Sequence, residues 1–224
     1  MKPIRAVLFD LDGTLLNTLD NITAAVNHTL AAYGMPPRSR EQVRDFVGNG
    51  VKILIDRAVA DGTDEQTTAR VLADFKPYYA AHTLDLTVPY DGILPALERL
   101  KAAGIKMAII SNKPDASTEA LRQRFFAQYI PFAYGDHPDR LRKPAPDSTF
   151  MMLEQLGVSV DEAVFVGDGD ADVQTAINAG IPCISVSWGF RDAEDLRKLG
   201  TTYIVDTPAE MADHILNLRT HFAD

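Results

Sequence analysis

The sequence predicts an α/β fold: a doubly wound, mainly parallel sheet with a helical segment inserted near its start. Three observations predict it. Short apolar runs of strand length recur along the chain and stop at polar residues. Stretches with the spacing of an amphipathic helix separate them. One long stretch, 16–85, shows helical spacing alone.

Ala6-Val7-Leu8-Phe9, entered by Ile4 and ended by Asp10, is an unbroken apolar run, as expected of a strand buried on both faces. Ile105 to Ile110, ending at Ser111, repeats it. So do Ala163 to Val166 before Gly167-Asp168, Ile181 to Val186, and Tyr203 to Val205. Between these runs, Ile93, Leu94, Leu97 and Leu100 share a helical face that Gly104 stops. Asp147 is placed to cap a helix running through Leu156 to Gly157, and Asp172 to Ala179 forms another before Gly180. The inserted stretch reads as a helix over Thr18 to Tyr33, with Ile22, Val26, Leu30 and Tyr33 on one face and Gly34 as its stop. A short helix follows, opened by the capping-box pair Ser39 and Gln42. Gly48-Asn49-Gly50 breaks the chain before a helix from Val51 to Val59, and a last helix covers Glu65 to Ala81. No strand signal falls in this stretch. The expected division is a Rossmann-like core of residues 1–15 and 86–224 with a helical cap of residues 16–85.

Composition narrows the function. The chain has 224 residues, 46% apolar and 24% charged, with a formal net charge of -9. That is ordinary globular usage, and no run of Lys or Arg offers a nucleic acid a basic face. No apolar stretch approaches the roughly 18 residues of a membrane helix. Asp10 and Asp12 interrupt the first apolar run, which argues against a secretory leader. Cys183 is the single cysteine, so no internal disulfide exists, and its apolar flanks mark an inert buried thiol. A cytoplasmic protein is expected. His28, His82, His137, His214 and His221 are scattered and show no metal-ligand spacing.

The polar residues that end the strands carry the chemistry. Ligands of open parallel sheets bind beyond the carboxyl ends of the strands. There the chain places Asp10-Leu11-Asp12-Gly13-Thr14, then Ser111-Asn112, and Gly167-Asp168-Gly169-Asp170-Ala171-Asp172. Lys143-Pro144 lies in a loop before a helix. Asp10, Asp168 and Asp172 bring three negative charges, and a phosphate dianion would add two. One Mg²⁺ and Lys143 return three positive charges, and backbone N–H groups with the Ser111 hydroxyl offset part of the rest. Hard oxygen ligands without a His or Cys cluster suit Mg²⁺. Asp10 is placed as a nucleophile that forms an aspartyl-phosphate. Asp12, two residues on, is placed as the acid/base, with Gly13 permitting the turn between them.

Taken together, these motifs resemble the haloacid dehalogenase-like superfamily. Phe9-Asp10-Leu11-Asp12-Gly13-Thr14-Leu15 is similar to its first motif, Ser111 to its second, Lys143 to its third, and Gly167-Asp168 with Asp172 to its fourth, in the right order over nearly the whole chain. The resemblance implies Asp10 as nucleophile and metal ligand, and Asp12 as acid/base with its backbone carbonyl on Mg²⁺. It implies Ser111 and Lys143, with neighbouring Asn112, on the phosphate, Asp168 on Mg²⁺, and Asp172 supporting the metal. It also implies that the helical insertion is a cap that closes over the substrate. Within the capped branch, Val47-Gly48-Asn49-Gly50 leading to Arg57-Ala58, Pro89-Tyr90-Asp91-Gly92 and Asp172-Val173-Gln174-Thr175-Ala176 resemble bacterial phosphoglycolate phosphatases. The substrate implied is 2-phosphoglycolate or a similar small phosphorylated metabolite. The N–H groups after Gly50 would face its carboxylate and Lys52 would assist. The chain departs from relatives at Asn17, Thr18 and Gly169, where Asp, Ser and Ser or Thr are common; none of these positions is asked to do chemistry.

Simpler roles compete at several positions. Ser111 alone reads as a loop hydroxyl, Lys143 as a surface lysine and Asp172 as a helix cap. Gly48-Asn49-Gly50 reads equally as a plain turn, Asp170 as solvated, and Trp188 as either packing or a border of the cleft. A phosphomutase of the same superfamily, or a non-catalytic phospho-accepting or partner-binding protein, would share much of this constellation.

Overall fold

The computed structural model describes residues 2–220. The chain opens with β1 (Lys2–Pro3) and β2 (Ala6–Phe9), then β3 (Leu16–Asn17). Four helices follow: α1 (Leu19–Ala32), α2 (Arg40–Phe46), α3 (Val51–Ala58) and α4 (Glu65–His82). After β4 (Val88–Pro89) come α5 (Ile93–Ala102), β5 (Lys106–Pro114), α6 (Asp115–Leu121), β6 (Phe132–Asp136), α7 (Asp147–Leu156) and β7 (Ala163–Gly167). The rest is α8 (Asp170–Ala179), β8 (Cys183–Val186), α9 (Ala193–Lys198), β9 (Tyr203–Val205), α10 (Pro208–Asn217) and β10 (Arg219–Thr220). None of these helices is long and apolar enough to cross a membrane.

The main sheet has six strands in the order β6-β5-β2-β7-β8-β9, every neighbouring pair parallel. The chain runs outward from β2 to β5 and β6 on one side, then crosses to β7, β8 and β9 on the other. That reversal beside β2 is the topological switch at which such sheets bind ligands. Residues of β2 alternate between two cores: Val7 and Phe9 pack into one with α5 and α10 residues such as Ile93, Leu97, Met211 and Ile215. Ala6 and Leu8 pack into the other with Met152, Leu153, Val173 and Ala176 of α7 and α8. Burial on both faces is why this strand reads as a continuous apolar run.

The four helices of the inserted segment hold a third core of their own, with Ile22, Val26, Leu30, Val43, Ile55, Val71 and Phe75 inside. Phe190, from the loop after β8, joins that cluster and marks where the segment rests on the sheet domain.

Most boundaries match the periodicity, and the differences have physical causes. Ser39 and Gln42 do form a reciprocal capping box. Asp147 does not cap α7: it is the first helical residue, Pro146 stands at the cap, and no side chain closes that end. The inserted stretch is not free of strand, because Leu16–Asn17 pairs antiparallel with Val88–Pro89, tying the two ends of the segment together. Two-residue ladders leave no alternation to read. Edge strand β6 also escaped the sequence reading, since Phe132-Ala133-Tyr134-Gly135-Asp136 is only half-buried and lacks the apolar run of the inner strands.

Candidate active site

Register alone brings the sequence motifs together. Phe9 lies level with Ile109 of β5 and Val166 of β7. Asp10 therefore stands one residue past the sheet, while Ser111 and Asp168 stand one step further along the flanking strands. The Asp10 N–H donates to the Val166 carbonyl at 2.9 Å, which holds the turn onto its neighbour.

Asp10, Asp168 and Asp172 each turn one carboxylate oxygen into a common space, and these atoms all lie within 4.8 Å of one another. Each side chain is fixed by something else. Asp168 accepts from the Thr14 hydroxyl at 2.8 Å and from the Phe190 N–H at 2.7 Å. Asp172 accepts through Oδ2 from the N–H groups of Asp168 and Gly169, at 3.1 and 3.0 Å, closing the start of α8. Its Oδ1 accepts from Lys143 Nζ at 2.6 Å. Asp172 is therefore a helix cap and a member of the carboxylate cluster at once. The turn after Asp10 needs glycine at Gly13, which has φ +85 and whose missing Cβ would stand 2.2 Å from Asp168 Oδ2. Gly189 leaves room in the same way, since a Cβ there would meet the Asp168 side chain at 2.2 Å.

Lys143 is enclosed, its side chain 2% exposed, with Nζ 2.8 Å from Asp10 Oδ1. Burial alone would strip its proton; the adjacent carboxylates of Asp10 and Asp172 outweigh that and hold the ammonium above its ordinary range. The carboxylates are under the opposite pressure. Burial, then repulsion from Asp172, pushes Asp10 up to about 7 despite Lys143. Burial, with repulsion from Asp172 and Asp10, pushes Asp168 up to about 8. One ammonium does not satisfy three buried carboxyl groups. Asp10 Oδ1 in particular touches Lys143 without an aligned hydrogen bond, leaving buried acceptor capacity. A divalent cation among these oxygens removes that repulsion, and a donor set of hard oxygens without His or Cys fits a Mg²⁺-like ion.

Above the carboxylates lies a cavity whose floor includes Asp10, Asp12, Ser111 and Asp168, and whose far wall is Ile22, Val47, Val51 and Leu54 of the helical segment. Ser111 lines it, its Oγ accepting from the Lys113 N–H at 3.3 Å. Asn112 also lines it, but its Nδ2 is spent on the carbonyls of Gly48 and Lys143, each at 3.1 Å, so it joins the loops around the cleft. Gly48 and Gly50 both lie on the wall, and α3 starts at Val51 with no side-chain cap. Lys52 does not assist: it lies on the outer face of α3, paired with Asp56 one turn on at 2.7 Å, and is not among the lining residues. Trp188 packs against the core and donates to the Thr14 carbonyl at 3.0 Å, supporting the Asp10 loop from behind. Asp170 borders the cavity and is half-exposed, 3.6 Å from Arg191. His137 sits at the surface beside Asp139, while His221 lies outside the described residues. Cys183 is buried away from the cavity and burial pushes its thiol up to about 12, as expected of an inert cysteine.

Four participants were not read from the sequence. Lys113 pairs with Asp12, Tyr79 of α4 reaches Lys113, Thr14 holds Asp168, and Arg191 spans to the helical segment by donating to the carbonyls of Arg44 and Val47 at 3.1 and 2.9 Å. Lys113 had a signal available: it is a lysine directly after Ser111-Asn112, in a stretch that is otherwise buried.

The arrangement has counterparts. The sequence profile described as haloacid dehalogenase-like hydrolase matches residues 7–186. The chain is 36% identical over 217 residues to the phosphoglycolate phosphatase of Rhodospirillum rubrum, covering 93% of this chain and 90% of that protein. It is 35% identical over 209 residues to phosphoglycolate phosphatase 1 of Pseudomonas aeruginosa, covering 90% and 76%. A crystal structure from Lactobacillus delbrueckii subsp. bulgaricus, of a protein assigned as a phosphoglycolate phosphatase, superposes with a TM-score of 0.92 at 34% identity, covering 97% of this chain and 100% of that one. The chain belongs to the haloacid dehalogenase-like hydrolases.

Proposed function

We propose that the protein is a Mg²⁺-dependent phosphomonoester hydrolase that works through phospho-Asp10. The observation that carries this reading is the convergence of Asp10, Asp168 and Asp172 with Lys143 at the carboxyl end of the sheet. Asp10, the Asp12 carbonyl and Asp168 would hold the ion, with Asp172 behind them; when bound it supplies positive charge that draws phosphate oxygens against a carboxylate. Lys143 and Ser111 would hold the phosphate, and Asn112, whose amide is already spent on the Gly48 and Lys143 carbonyls, would brace the loops around it. An Asp10 oxygen bonds to phosphorus as the ester O–P bond breaks, and Asp12 gives its proton to the departing oxygen, so an alcohol leaves. Asp12, now a carboxylate, takes a proton from water. The water oxygen bonds to phosphorus, the Asp10–phosphorus link breaks, and orthophosphate departs with both aspartates restored. Residues 16–85 act as a cap on a core of 1–15 and 86–224, screening the site from bulk water during both halves.

The substrate is 2-phosphoglycolate or a similarly small phosphorylated metabolite, processed in the cytoplasm. Relatives named for that activity support it, and the far wall of the cavity, Ile22, Val47, Val51 and Leu54, is apolar. The open start of α3 favours a carboxylate on the leaving group. The test is phosphate release from a panel of phosphorylated metabolites with and without Mg²⁺. Preferred turnover of 2-phosphoglycolate that needs the ion is expected. An isomerised sugar phosphate without released phosphate points instead to a mutase, and silence across the panel contradicts the reading.

A further inference from the structure

The reaction assigned to Asp12 asks for a carboxyl group held in one orientation, yet Asp12 sits on a turn beyond the sheet with two rotatable bonds. The structure supplies a holder. Lys113 Nζ donates to Asp12 Oδ1 at 3.0 Å and to Oδ2 at 3.3 Å, gripping both oxygens. The lysine side chain is 1% exposed, far below what lysines ordinarily show. Its ammonium also donates to the Tyr79 hydroxyl and stands 4.6 Å from the centre of that ring. Tyr79 belongs to α4 of the helical segment and is itself buried, whereas Asp12 and Lys113 belong to the sheet domain. One buried cation thus joins the proposed acid/base to the segment proposed as a lid. All three side chains line the same cavity.

We propose that Lys113 is a positioning residue for Asp12, and that Tyr79 makes this positioning depend on α4 being docked against the sheet domain. The proposal rests on the reading of Asp12 as the acid/base. Both partners are needed for the lysine to stay where it is: a buried ammonium that loses the ring and hydroxyl enclosing it opens to water, which competes for its donors. With α4 displaced, Lys113 loses the ring and hydroxyl that enclose it, and the grip on Asp12 loosens. With α4 docked, Asp12 is aligned and water is excluded together. Phosphate binding is assigned to Lys143 and Ser111, so Lys113 acts on the chemical steps and not on affinity.

The experiment uses the intact protein with Mg²⁺ and p-nitrophenyl phosphate, whose leaving group departs without a proton and so isolates hydrolysis of the phospho-enzyme. Wild type, Lys113→Met, Lys113→Arg, Tyr79→Phe, Asp12→Asn and the Lys113→Met/Asp12→Asn double variant are compared for kcat, KM and the pre-steady-state burst of p-nitrophenolate. Lys113→Met is expected to show a burst followed by a steady-state rate roughly 10- to 100-fold below wild type, within what a mis-set general base forfeits. KM is expected to stay level or fall, since slower hydrolysis of the phospho-enzyme lowers KM along with kcat. Lys113→Arg should recover part of the rate, and Tyr79→Phe should show a smaller burst-revealing loss in the same direction. Because Lys113 acts through Asp12, the double variant should be no slower than Asp12→Asn alone. Losses that multiply in the double variant, or a raised KM at unchanged kcat in Lys113→Met, overturn the proposal. Should Lys113→Met not fold, Tyr79→Phe decides: wild-type burst and kcat there overturn the dependence on α4. Near-normal turnover by Asp12→Asn overturns the acid/base reading itself, a result distinct from any of these.

Discussion

Two buried ammonium groups stand at the same end of the sheet, and their surroundings differ. Lys143 meets Asp10, from the loop after β2, and Asp172, from the first turn of α8, both in the sheet domain. Lys113 meets Asp12 from the sheet domain and Tyr79 from α4. The first centre is complete within one structural unit; the second needs the helical segment in place. On the proposed mechanism, that difference would separate a fixed apparatus for phosphate and metal from one whose completion depends on closure. It also explains why only the first was visible as a set of motifs.

The sharpest way to break this contrast is to remove the reacting group of the fixed centre. Asp10→Asn keeps size and shape, and should lower turnover by at least ~10⁴-fold, as loss of a covalent nucleophile does. Far-ultraviolet circular dichroism should stay unchanged. Residual turnover near wild type would remove Asp10 from the mechanism.

Lys143→Met comes next, because it leaves Asp10 and Asp172 facing each other without their ammonium. Breaking a buried ion pair from one side typically costs about 3–5 kcal/mol. Urea unfolding of the metal-free variant should show a loss of that order, and Mg²⁺ should recover part of it by binding only the folded form. A variant as stable as wild type would show that the cluster is not strained in the way its geometry indicates.

The third effect concerns pH. Asp10 and Asp168 titrate at about 7 and about 8 in the folded metal-free chain, against an ordinary 3.8. Between those values the folded state holds more protons than the unfolded one, so each group's contribution weakens as pH rises through about 4 to 8. The metal-free protein should therefore lose stability over that window, measured as the urea midpoint. Asp168→Asn should flatten the slope, and Mg²⁺ should stabilise more at the alkaline end. A slope unaltered by Asp168→Asn contradicts the crowding.

The smallest effect is expected where the two units meet at the surface. Arg44 pairs with Asp192 at 2.7 Å, but the Asp192 side chain is 72% exposed. Asp192→Ala should change stability by under ~1 kcal/mol and leave kcat unaltered. A large loss of turnover would move the control of closure from the Lys113 centre to this rim.

What the sequence revealed follows the same divide. Strands buried on both faces announce themselves as apolar runs, so β2, β5, β7 and β8 were legible, while the partly exposed edge strand β9 was read from Tyr203-Ile204-Val205; Asp10 and Asp168 lie just beyond the ends of β2 and β7, and Ser111 lies within β5, which runs on to Pro114. Lys143 and Asp172 were legible through their place in ordered motifs, although geometry had to show that Asp172 caps α8 and grips Lys143 together. The two-residue ribbon of β3 and β4 carries too few residues to show a period. Lys52 was assigned to the cleft by its closeness to Gly50 in sequence, while the helical rotation of α3 turns it outward to Asp56. Tyr79 and Lys113 are 34 positions apart and meet only because α4 lies across the end of β5. No local pattern encodes such a contact.

The account stands on covalent chemistry at Asp10, and rapid acid quench during turnover tests it most directly. Protein mixed with Mg²⁺ and 2-phosphoglycolate, quenched within the first turnover, would be digested and its peptides weighed. The account predicts a phosphoryl increment on the peptide bearing Asp10, absent in Asp10→Asn and persisting longer in Asp12→Asn. Phosphate released at the wild-type rate with no labelled Asp10 at any quench time would contradict it.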